Sequence, residues 1–365
     1  DRHQAEYRAA GAAVRAELKS ELGFEGKDGR RYTHLGDFDS YAWLRQARNY
    51  LDHGTFCDAV VEGECRDTYG HAPVGYKMIY SRPLHVGAIA AVARAATLFR
   101  PDYPLAASAF LVPVLIGTLG VLPAFFLGRR LAGNPGGVFA ALFISLQPQF
   151  LLRSIGGDND VWNVVLPLFA AWALIAALDA RARTPATLFA VLAGFFTGLH
   201  AAAWSGWSFT FVVLIGAVLA RLILFSVSLA LGERASGFWG FRGFRGFWRR
   251  EEIQIGALVL AVYYLSAGVF ALLAGDEAPF LSISVGRIKG ILRMLGLLRS
   301  LPAAAPGADY WPQGLKTVAE FARPYSLDIV RHMGGVFFSS AAGWGCSWCF
   351  SRTGGGRGTL SWSSA

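Results

Sequence analysis

Three short segments place carboxylates beside long apolar stretches. Residues 37–39 are Asp-Phe-Asp, residues 158–160 are Asp-Asn-Asp, and residues 317–320 are Thr-Val-Ala-Glu. A carboxylate next to a bilayer is costly unless it works with a cation, a proton or a partner. Because Mg²⁺ and Mn²⁺ prefer oxygen ligands, three such segments on one face predict a site for a hard divalent cation. The few histidines and the lack of a Cys/His set at metal spacing argue against zinc.

Each acidic segment taken alone has a simpler interpretation. An Asp-x-Asp pair is usually a solvated turn or a helix cap, and Asp158 or Asp160 would cap a helix that is predicted to begin near Val161. Glu320 by itself indicates nothing. The interpretation as a metal site therefore depends on whether the three segments emerge on the same side of a membrane.

The composition is that of a membrane protein with several spans. Of the 365 residues, 54% are hydrophobic and only 16% are charged, and the mean hydropathy is +0.39. Soluble domains carry about 25% charged residues. The net charge of +9 is spread over short loops rather than gathered in one stripe, which favours membrane topology over nucleic-acid binding.

Six apolar runs are predicted to cross the membrane, and one shorter run is not. Residues 83–99 contain His85 and Arg94, which is typical of a helix that lies at the membrane interface. The sequence thus predicts an all-α protein, a polytopic bundle of transmembrane helices. The predicted spans are 105–127, 136–152, 161–178, 186–203, 207–229 and 255–273.

The distribution of arginine predicts which loops share a side of the membrane. The loops after the first, third and fifth predicted spans are rich in arginine, whereas the loops between them are not. By the positive-inside rule the arginine-rich loops are cytoplasmic. The loops 153–160 and 204–207, the chain after 274 and residues 36–104 are then external. All three acidic segments share that face, which predicts a multi-pass membrane protein whose acidic segments lie on the external side.

The same pattern divides the chain into five segments. They are 1–35, a polar N-terminal segment; 36–104, the first external loop with interfacial helices; 105–274, the transmembrane bundle; 275–333, an external loop region with the Thr-x-x-Glu segment; and 334–365, a degenerate or disordered tail rich in Gly and Ser.

The four cysteines leave their chemistry open. Cys57 and Cys65 lie close together in a polar loop, where a disulfide and two free thiols are both consistent with the sequence. Cys346 and Cys349 have the spacing of a redox motif but lack its strand–helix context, so thiol chemistry is disfavoured there.

Three stretches resemble the catalytic subunits of oligosaccharyltransferases. Residues 36–45, Gly-Asp-Phe-Asp-Ser-Tyr-Ala-Trp-Leu-Arg, and the following Ala-Arg-Asn-Tyr at 47–50 resemble the first external loop of that family. Residues 153–160, Arg-Ser-Ile-Gly-Gly-Asp-Asn-Asp, are similar to its second acidic motif. Trp-Pro at 311–312 and Thr-x-x-Glu at 317–320 resemble its fifth external loop, so the likeness covers most of residues 36–338.

The resemblance implies a fold, a reaction and partners. The family has the GT-C fold, a multispanning helical bundle followed by a soluble C-terminal domain. It transfers an oligosaccharide from a polyprenyl (pyro)phosphate carrier to the side-chain amide of Asn in Asn-x-Ser/Thr, with inversion at the anomeric carbon. The implied partners are a lipid-linked oligosaccharide, an acceptor polypeptide and membrane lipids, without nucleic acid.

The resemblance also implies roles for single residues. Asp39, Asp158 and Glu320 would be catalytic and would coordinate Mg²⁺ or Mn²⁺, with Asp160 at the same ion. The supporting residues would be Asp37, Arg153, which would steady the acidic loop, and Thr317, in the loop that clamps the acceptor peptide.

The sequence departs from the family pattern in three places. The C-terminal Trp-Trp-Asp motif, which reads the Ser/Thr of the acceptor, does not occur; no span precedes Asp37; and the run after Gly334 does not resemble a family helix. We therefore expect a truncated chain that contains the metal-binding half of the site, without the soluble C-terminal domain.

Two other functions fit parts of the sequence. One is another GT-C glycosyltransferase that uses a polyprenyl-phosphate sugar, such as a protein O-mannosyltransferase or a lipid-modifying enzyme. The other is an ion-coupled transporter, which would place its ionisable residues within the spans near the midplane.

Overall fold

The computed structural model describes residues 2–27, 29, 31–70, 75–78, 83–233 and 251–275, together with residues 280, 286 and 289. Within these ranges the chain is mostly helical. The helices are α1 Arg2–Glu21, α2 Phe38–His53, α3 Leu84–Thr97, α4 Leu105–Leu146, α5 Pro148–Arg153, α6 Trp162–Leu178, α7 Arg183–Ala203, α8 Trp207–Glu233 and α9 Glu251–Leu273. The strands are β1 Gly23–Glu25, β2 Arg31–Thr33, β3 Ala59–Val61, β4 Glu64–Asp67 and β5 Tyr76–Lys77.

Long apolar helices dominate the described part of the chain. α4, α7, α8 and α9 are long and apolar enough to cross a membrane. α6 is also apolar, but its 17 residues extend about 26 Å at 1.5 Å per residue, slightly less than a hydrocarbon core of about 30 Å. The prediction of a polytopic helical bundle is confirmed, and the protein is a multi-pass membrane protein.

The region before α4 contains two small antiparallel sheets that the prediction of an all-α fold did not include. β1 pairs with β2, and β4 pairs with both β3 and β5. Glu62 and Gly63 join β3 to β4 with positive φ angles of 53° and 80°. Two consecutive positive φ angles are the requirement of a type I′ hairpin turn, which explains the glycine at that position.

α4 contains the first two predicted spans as two helical halves. Ala132 and Gly133 are not helical, and Gly133 has a φ of 68° that suits glycine. The halves lie against one another, because a Cβ on Gly128 would overlap the backbone of Gly136 and a Cβ on Gly137 would overlap Phe125. Glycines at these positions let the two halves approach closely.

The second predicted span, 136–152, is wrong at its C-terminal end. The helix ends at Leu146, and a new short helix begins at Pro148. The residue between them, Gln147, has a ψ of 118°. A proline disfavours helical geometry in the residue before it, because its ring clashes with that residue's backbone.

The helices pack through small residues. The cluster between α6, α7 and α9 consists largely of alanine, including Ala177, Ala190 and Ala267, together with the buried Tyr263. A Cβ on Gly194 would overlap Ser266, so the backbones of α7 and α9 approach closely there. A second cluster lies beneath the acidic residues, and its members from α3, α4 and α6 include Ile89, Val112 and Trp162.

Contacts at the helix ends agree with the predicted alternation of the loops. The Nδ2 of Asn159, just before α6, donates to the carbonyl of Ala203 at the end of α7, 3.0 Å away. At the other end of α6, Asp179 accepts an ion pair from Arg130 at 2.7 Å and another from Arg221 at 3.2 Å. The acidic loop 153–160 and Asp179 with its two arginine partners therefore lie at opposite ends of α6.

Some predictions fall outside the described residues. These are Thr317 and Glu320, the loop region 275–333 apart from residues 275, 280, 286 and 289, the tail 334–365, and the arginine-rich loop 234–250.

Candidate functional site

The first acidic motif forms the start of α2. Asp37 is the N-cap residue, and its Oδ1 accepts hydrogen bonds from the backbone N–H of Ser40 at 2.8 Å and from the Ser40 hydroxyl at 2.7 Å. This is the usual way to satisfy an unpaired N–H in the first helical turn. Asp39 follows in that first turn and is exposed. A negative charge there is favourable, since the helix N-terminus carries a partial positive charge.

The second acidic motif follows two glycines in unusual conformations. Gly156 and Gly157 have φ angles of 120° and 103°, which L-residues rarely adopt. The backbone N–H of Gly36 donates to the carbonyl of Gly156 at 3.1 Å. The two motifs, separated by about 120 residues, are thus joined directly, and Glu320 lies outside the described residues.

Asp158 is the most perturbed carboxylate of the site. Its Oδ1 accepts hydrogen bonds from the Trp43 indole at 3.3 Å and from the backbone N–H of Asn159 at 2.7 Å. Burial, followed by the negative charges of Asp160 and Asp37, nevertheless raises the pKa of Asp158 to about 6. Three carboxylates therefore share one small region, where a positive charge would be stabilising.

Asp160 pairs with a cation from the same loop. Its Oδ2 lies 2.7 Å from the guanidinium of Arg153, and both side chains are partly exposed. Such a pair contributes little to stability, about 1 kcal/mol at most. Neither Asp158 nor Asp160 caps α6, whose first residues have no side-chain cap. The alternative that one of them is only a helix cap is therefore wrong.

The carboxylates supply only part of a cation site. Among the described residues, no group of three His, Cys, Asp or Glu side chains could hold a metal ion by itself. Burial and the negative charge of Asp67 raise the pKa of Tyr76, and the charge of Asp39 adds to this effect. The negative charges that raise the pKa of Asp158 are instead those of Asp160 and Asp37. The oxygen-only donor set and the raised pKa of Asp158 fit a hard cation. The predicted ligand Glu320 belongs to the part of the chain that is not described.

A buried histidine contacts the backbone of the acidic loop. The Nε2 of His85, in the first turn of α3, lies 2.9 Å from the carbonyl of Gly157. The indole N–H of Trp162 donates to the other ring nitrogen of His85 at 3.0 Å. Sequence reasoning assigned no role to His85 or Trp162. The signal that could have found His85 is a histidine on the inward side of an otherwise apolar helix.

The loop that follows α2 is fixed to this helix by a cluster of ion pairs and hydrogen bonds. The guanidinium of Arg45 lies 2.6 Å from both Asp58 and Asp67. Asn49 donates to Asp58 at 2.9 Å and to the carbonyl of Cys57 at 3.1 Å. Although burial acts in the opposite direction, the hydrogen bonds from Gly70 and Arg45 lower the pKa of Asp67.

A disulfide closes this loop. Cys57 and Cys65 are bonded, which decides between the two interpretations that the sequence left open. The loop and the Arg45 cluster hold α2, whose N-cap residue is Asp37, so they position the first acidic motif.

Comparison with known proteins gives one family across most of the chain. The family model described as oligosaccharyl transferase STT3, N-terminal, matches residues 9–346. Among curated proteins, the chain is similar to the dolichyl-phosphooligosaccharide-protein glycotransferase of Methanococcus voltae, with 26% identity over 213 residues, which are 56% of this chain and 22% of that protein.

One further relative and one solved structure come from other archaea. The dolichyl-monophosphooligosaccharide–protein glycotransferase AglB of Haloferax volcanii is 32% identical over 137 residues, 32% of this chain and 13% of that protein. The crystal structure of the Archaeoglobus fulgidus oligosaccharyltransferase in complex with Zn and sulfate matches with a TM-score of 0.47 and 21% identity, over 73% of this chain and 34% of that chain. The matched part of this chain thus spans less than a quarter of the length of the curated relatives.

Proposed function

The chain belongs to the oligosaccharyl transferase STT3 family, and from this membership we propose that the protein transfers an oligosaccharide from a polyprenyl (pyro)phosphate carrier to the side-chain amide of Asn in Asn-x-Ser/Thr. The names of the relatives in Methanococcus voltae and Haloferax volcanii support this class of donor and acceptor. The observation that carries the proposal is the hydrogen bond between Gly36 and Gly156, because it joins the two acidic motifs at one end of the helices.

The proposed reaction replaces a bond to phosphate with a bond to nitrogen. The amide nitrogen forms a C–N bond to the anomeric carbon while the C–O bond to the carrier phosphate breaks. The phosphate leaves with the bonding electron pair, and the nitrogen releases one proton to a base. Attack from the side opposite the leaving group inverts the anomeric configuration.

The acidic residues would increase the reactivity of the acceptor amide nitrogen. An amide nitrogen reacts poorly because its lone pair is delocalised into the carbonyl. Carboxylates at Asp39 and Glu320 would accept hydrogen bonds from the amide N–H groups and favour a twisted geometry with a more available lone pair. Holding that geometry ahead of the reaction lowers the barrier, because the ordering cost is met on binding.

A divalent cation is the second part of the proposal. Asp39, Asp158 and Glu320 would hold Mg²⁺ or Mn²⁺, with Asp160 at the same ion and Arg153 steadying its loop. When bound, the ion would offset negative charge that develops on the phosphate leaving group. The shared negative field around Asp158 supports a cation at this place.

We place the site on the external face of the cytoplasmic membrane. Loops rich in arginine alternate along the sequence with loops poor in arginine, and Asp179 and the acidic loop lie at opposite ends of α6. Membrane lipids, the lipid-linked donor and the acceptor polypeptide would meet the protein at this end. Thr317 would belong to the loop that holds the acceptor.

The test is a transfer assay with defined partners. The intact protein in detergent is mixed with lipid-linked oligosaccharide and a fluorescent peptide containing Asn-x-Thr, with Mn²⁺ or with EDTA. We expect a glycosylated peptide only with Mn²⁺. Asp39→Ala, Asp158→Ala and Glu320→Ala should each lower kcat/KM by about a hundredfold or more, since each removes a group that acts on developing charge.

Asp102→Ala is the matched control. Asp102 is an exposed carboxylate before α4 that pairs with Arg100 at 3.1 Å, and both side chains are about two-thirds exposed. This variant should retain full activity. Full activity of Asp39→Ala and Glu320→Ala, or transfer to a peptide Ser/Thr hydroxyl instead of Asn, would overturn the proposed function.

A further inference from the structure

His85 is a fully buried histidine with a partner on each ring nitrogen. Only 1% of the residue is exposed. Its Nε2 lies 2.9 Å from the carbonyl oxygen of Gly157, and its Nδ1 lies 3.0 Å from the indole nitrogen of Trp162. Gly157 directly precedes Asp158, so the contact reaches the backbone that carries the most perturbed carboxylate of the site.

The two partners select one tautomer of the ring. An indole nitrogen can only donate, so the Nδ1 of His85 must be the acceptor. The ring proton is then on Nε2, which donates to the carbonyl of Gly157. A doubly protonated ring would set an N–H of His85 against the N–H of Trp162, so the arrangement fits the neutral ring alone.

The surroundings keep the ring neutral. Burial lowers the pKa of His85 to about 4, against the opposite effects of the hydrogen bond to Gly157 and the negative charge of Asp37. Among the described residues, the charge of Asp37 is the one that favours protonation. At neutral pH the donor to Gly157 is therefore present in essentially every molecule.

Trp43 connects this histidine to the carboxylate itself. Its ring meets the ring of His85 edge to face, with the centroids 6.1 Å apart at 83°. Its indole N–H donates to the Oδ1 of Asp158 at 3.3 Å. His85 thus holds the backbone just before Asp158, and Trp43 holds one oxygen of the Asp158 side chain.

We propose that His85 is a positioning residue: as the neutral Nε2–H tautomer fixed by Trp162, it holds the Gly157 carbonyl and thereby sets the orientation of Asp158 in the site. The inference rests on the proposed function in that Asp158 is the group to be oriented. The positive φ of Gly157 explains why such a restraint is needed, because this backbone has more freedom than that of other residues.

Two neutral substitutions separate the donor from the other properties of the ring. The amide of His85→Gln can reach the place of Nε2 and donate to Gly157. The shorter amide of His85→Asn can reach the place of Nδ1, accept from Trp162, and leave the Gly157 carbonyl without its donor. Trp162→Phe keeps an aromatic ring but removes the N–H that fixes the tautomer.

The first measurement is hydrogen exchange of the peptide 154–162 in the metal-free intact protein in detergent. We expect faster exchange in His85→Asn, near wild-type exchange in His85→Gln and an intermediate rate in Trp162→Phe. This measurement depends on neither metal nor activity, so it decides the inference even if the wild-type protein fails the transfer assay.

The second measurement is Mn²⁺ binding followed by the EPR signal of the free ion. The loss of a partner behind a metal ligand lowers affinity by about 10- to 100-fold. We expect that loss for His85→Asn and wild-type affinity for His85→Gln. If His85 had only a structural role, both variants would have a lower melting temperature and their Mn²⁺ affinities would not differ from one another.

Equal exchange rates in the peptide 154–162 for His85→Asn and His85→Gln would overturn the proposal. So would wild-type exchange in Trp162→Phe, which keeps the test decisive if His85→Asn does not fold. If the wild-type protein binds no Mn²⁺, the proposed cation site fails while the exchange experiment still stands.

Discussion

Gly157 shows how one backbone angle can matter more than the space around a residue. An added Cβ would meet Ala109, Ser40 and Leu35 at 3.5–3.6 Å, which is ordinary van der Waals contact. The φ of 103°, however, is costly for any residue with a Cβ. We predict that Gly157→Ala destabilises the protein by about 1–2 kcal/mol, measured as a lower melting temperature in detergent.

Gly87→Ala is the control for this substitution. Gly87 lies in α3, has nothing within 4 Å of an added Cβ, and has no positive φ. Alanine is favoured over glycine inside a helix by up to about 1 kcal/mol, so this variant should be as stable as the wild type or more so. Equal effects of the two substitutions would contradict the role of the backbone angle.

His85 should also make stability depend on pH. In the unfolded chain its ring takes up a proton near the ordinary pKa of about 6.5, but in the folded protein only near 4. Between these values the unfolded state binds more protons, so the contribution of His85 is present above pH 6.5 and is lost as the pH falls towards 4. The expected loss is about 2 kcal/mol at pH 5.

The measurement compares melting curves of wild type and His85→Gln from pH 7.5 to 5. The wild-type melting temperature should fall more steeply, because glutamine does not titrate. Parallel curves would mean that His85 takes up a proton as readily in the folded protein as in the unfolded chain, which would contradict the assigned neutral tautomer.

At the scale of elements, α2 and the loop after it depend on Arg45. Its guanidinium bridges Asp58 and Asp67, whose side chains are only 8% and 4% exposed, and it lies over the ring of Tyr69. We predict that Arg45→Met leaves two shielded carboxylates without a counterion and weakens this loop by about 3 kcal/mol. Lysine should not replace Arg45, because a point charge cannot bridge two carboxylates in the same way.

Limited digestion with chymotrypsin tests this prediction. Cleavage at Phe56 and Tyr69 should be roughly a hundredfold faster in Arg45→Met, if cleavage follows local opening. Arg100→Met is the control, since its pair with Asp102 is exposed and worth about 1 kcal/mol at most. Comparable cleavage in both variants would show that the Arg45 cluster does not hold the loop.

The elements that the sequence could predict are those with a strong local signal. Uninterrupted apolar runs gave α6, α7 and α9 with small errors at their ends. The end of α4 at Leu146 was missed although Pro148 supplied the signal, because hydropathy alone continued through it. The hairpin at Glu62 and Gly63 was missed because its strands are only three and four residues long.

The site was predictable in part for a similar reason. Carboxylates near apolar runs are conspicuous, so Asp37, Asp158 and Asp160 could be singled out from the sequence. The joining of Gly36 to Gly156 depends on tertiary packing. The role of His85 depends on partners 72 and 77 residues away, and an isolated histidine in an apolar helix gives no hint of them.

At the scale of the whole molecule, the described helices separate two chemically different ends. One end holds the linked acidic motifs and the hydrogen bond from Asn159 to the end of α7. The other end holds the ion pairs of Asp179 with Arg130 and Arg221. Two arginines around one carboxylate at one end and the linked acidic motifs at the other fit the proposed orientation, in which the first end would meet anionic lipid and the second would hold the proposed divalent ion.

The orientation of these ends can be measured with single cysteines in intact cells. In a background with Cys346→Ser and Cys349→Ser, and with the bonded Cys57 and Cys65 retained, Asp52→Cys and Arg181→Cys place one exposed thiol at each end. A membrane-impermeant maleimide should label Asp52→Cys in intact cells and label Arg181→Cys only after permeabilisation. The reverse pattern would put the acidic motifs in the cytoplasm, where the positive-inside rule places the arginine-rich loops instead. Labelling of both thiols in intact cells would mean that α6 and its neighbours do not span the bilayer between them.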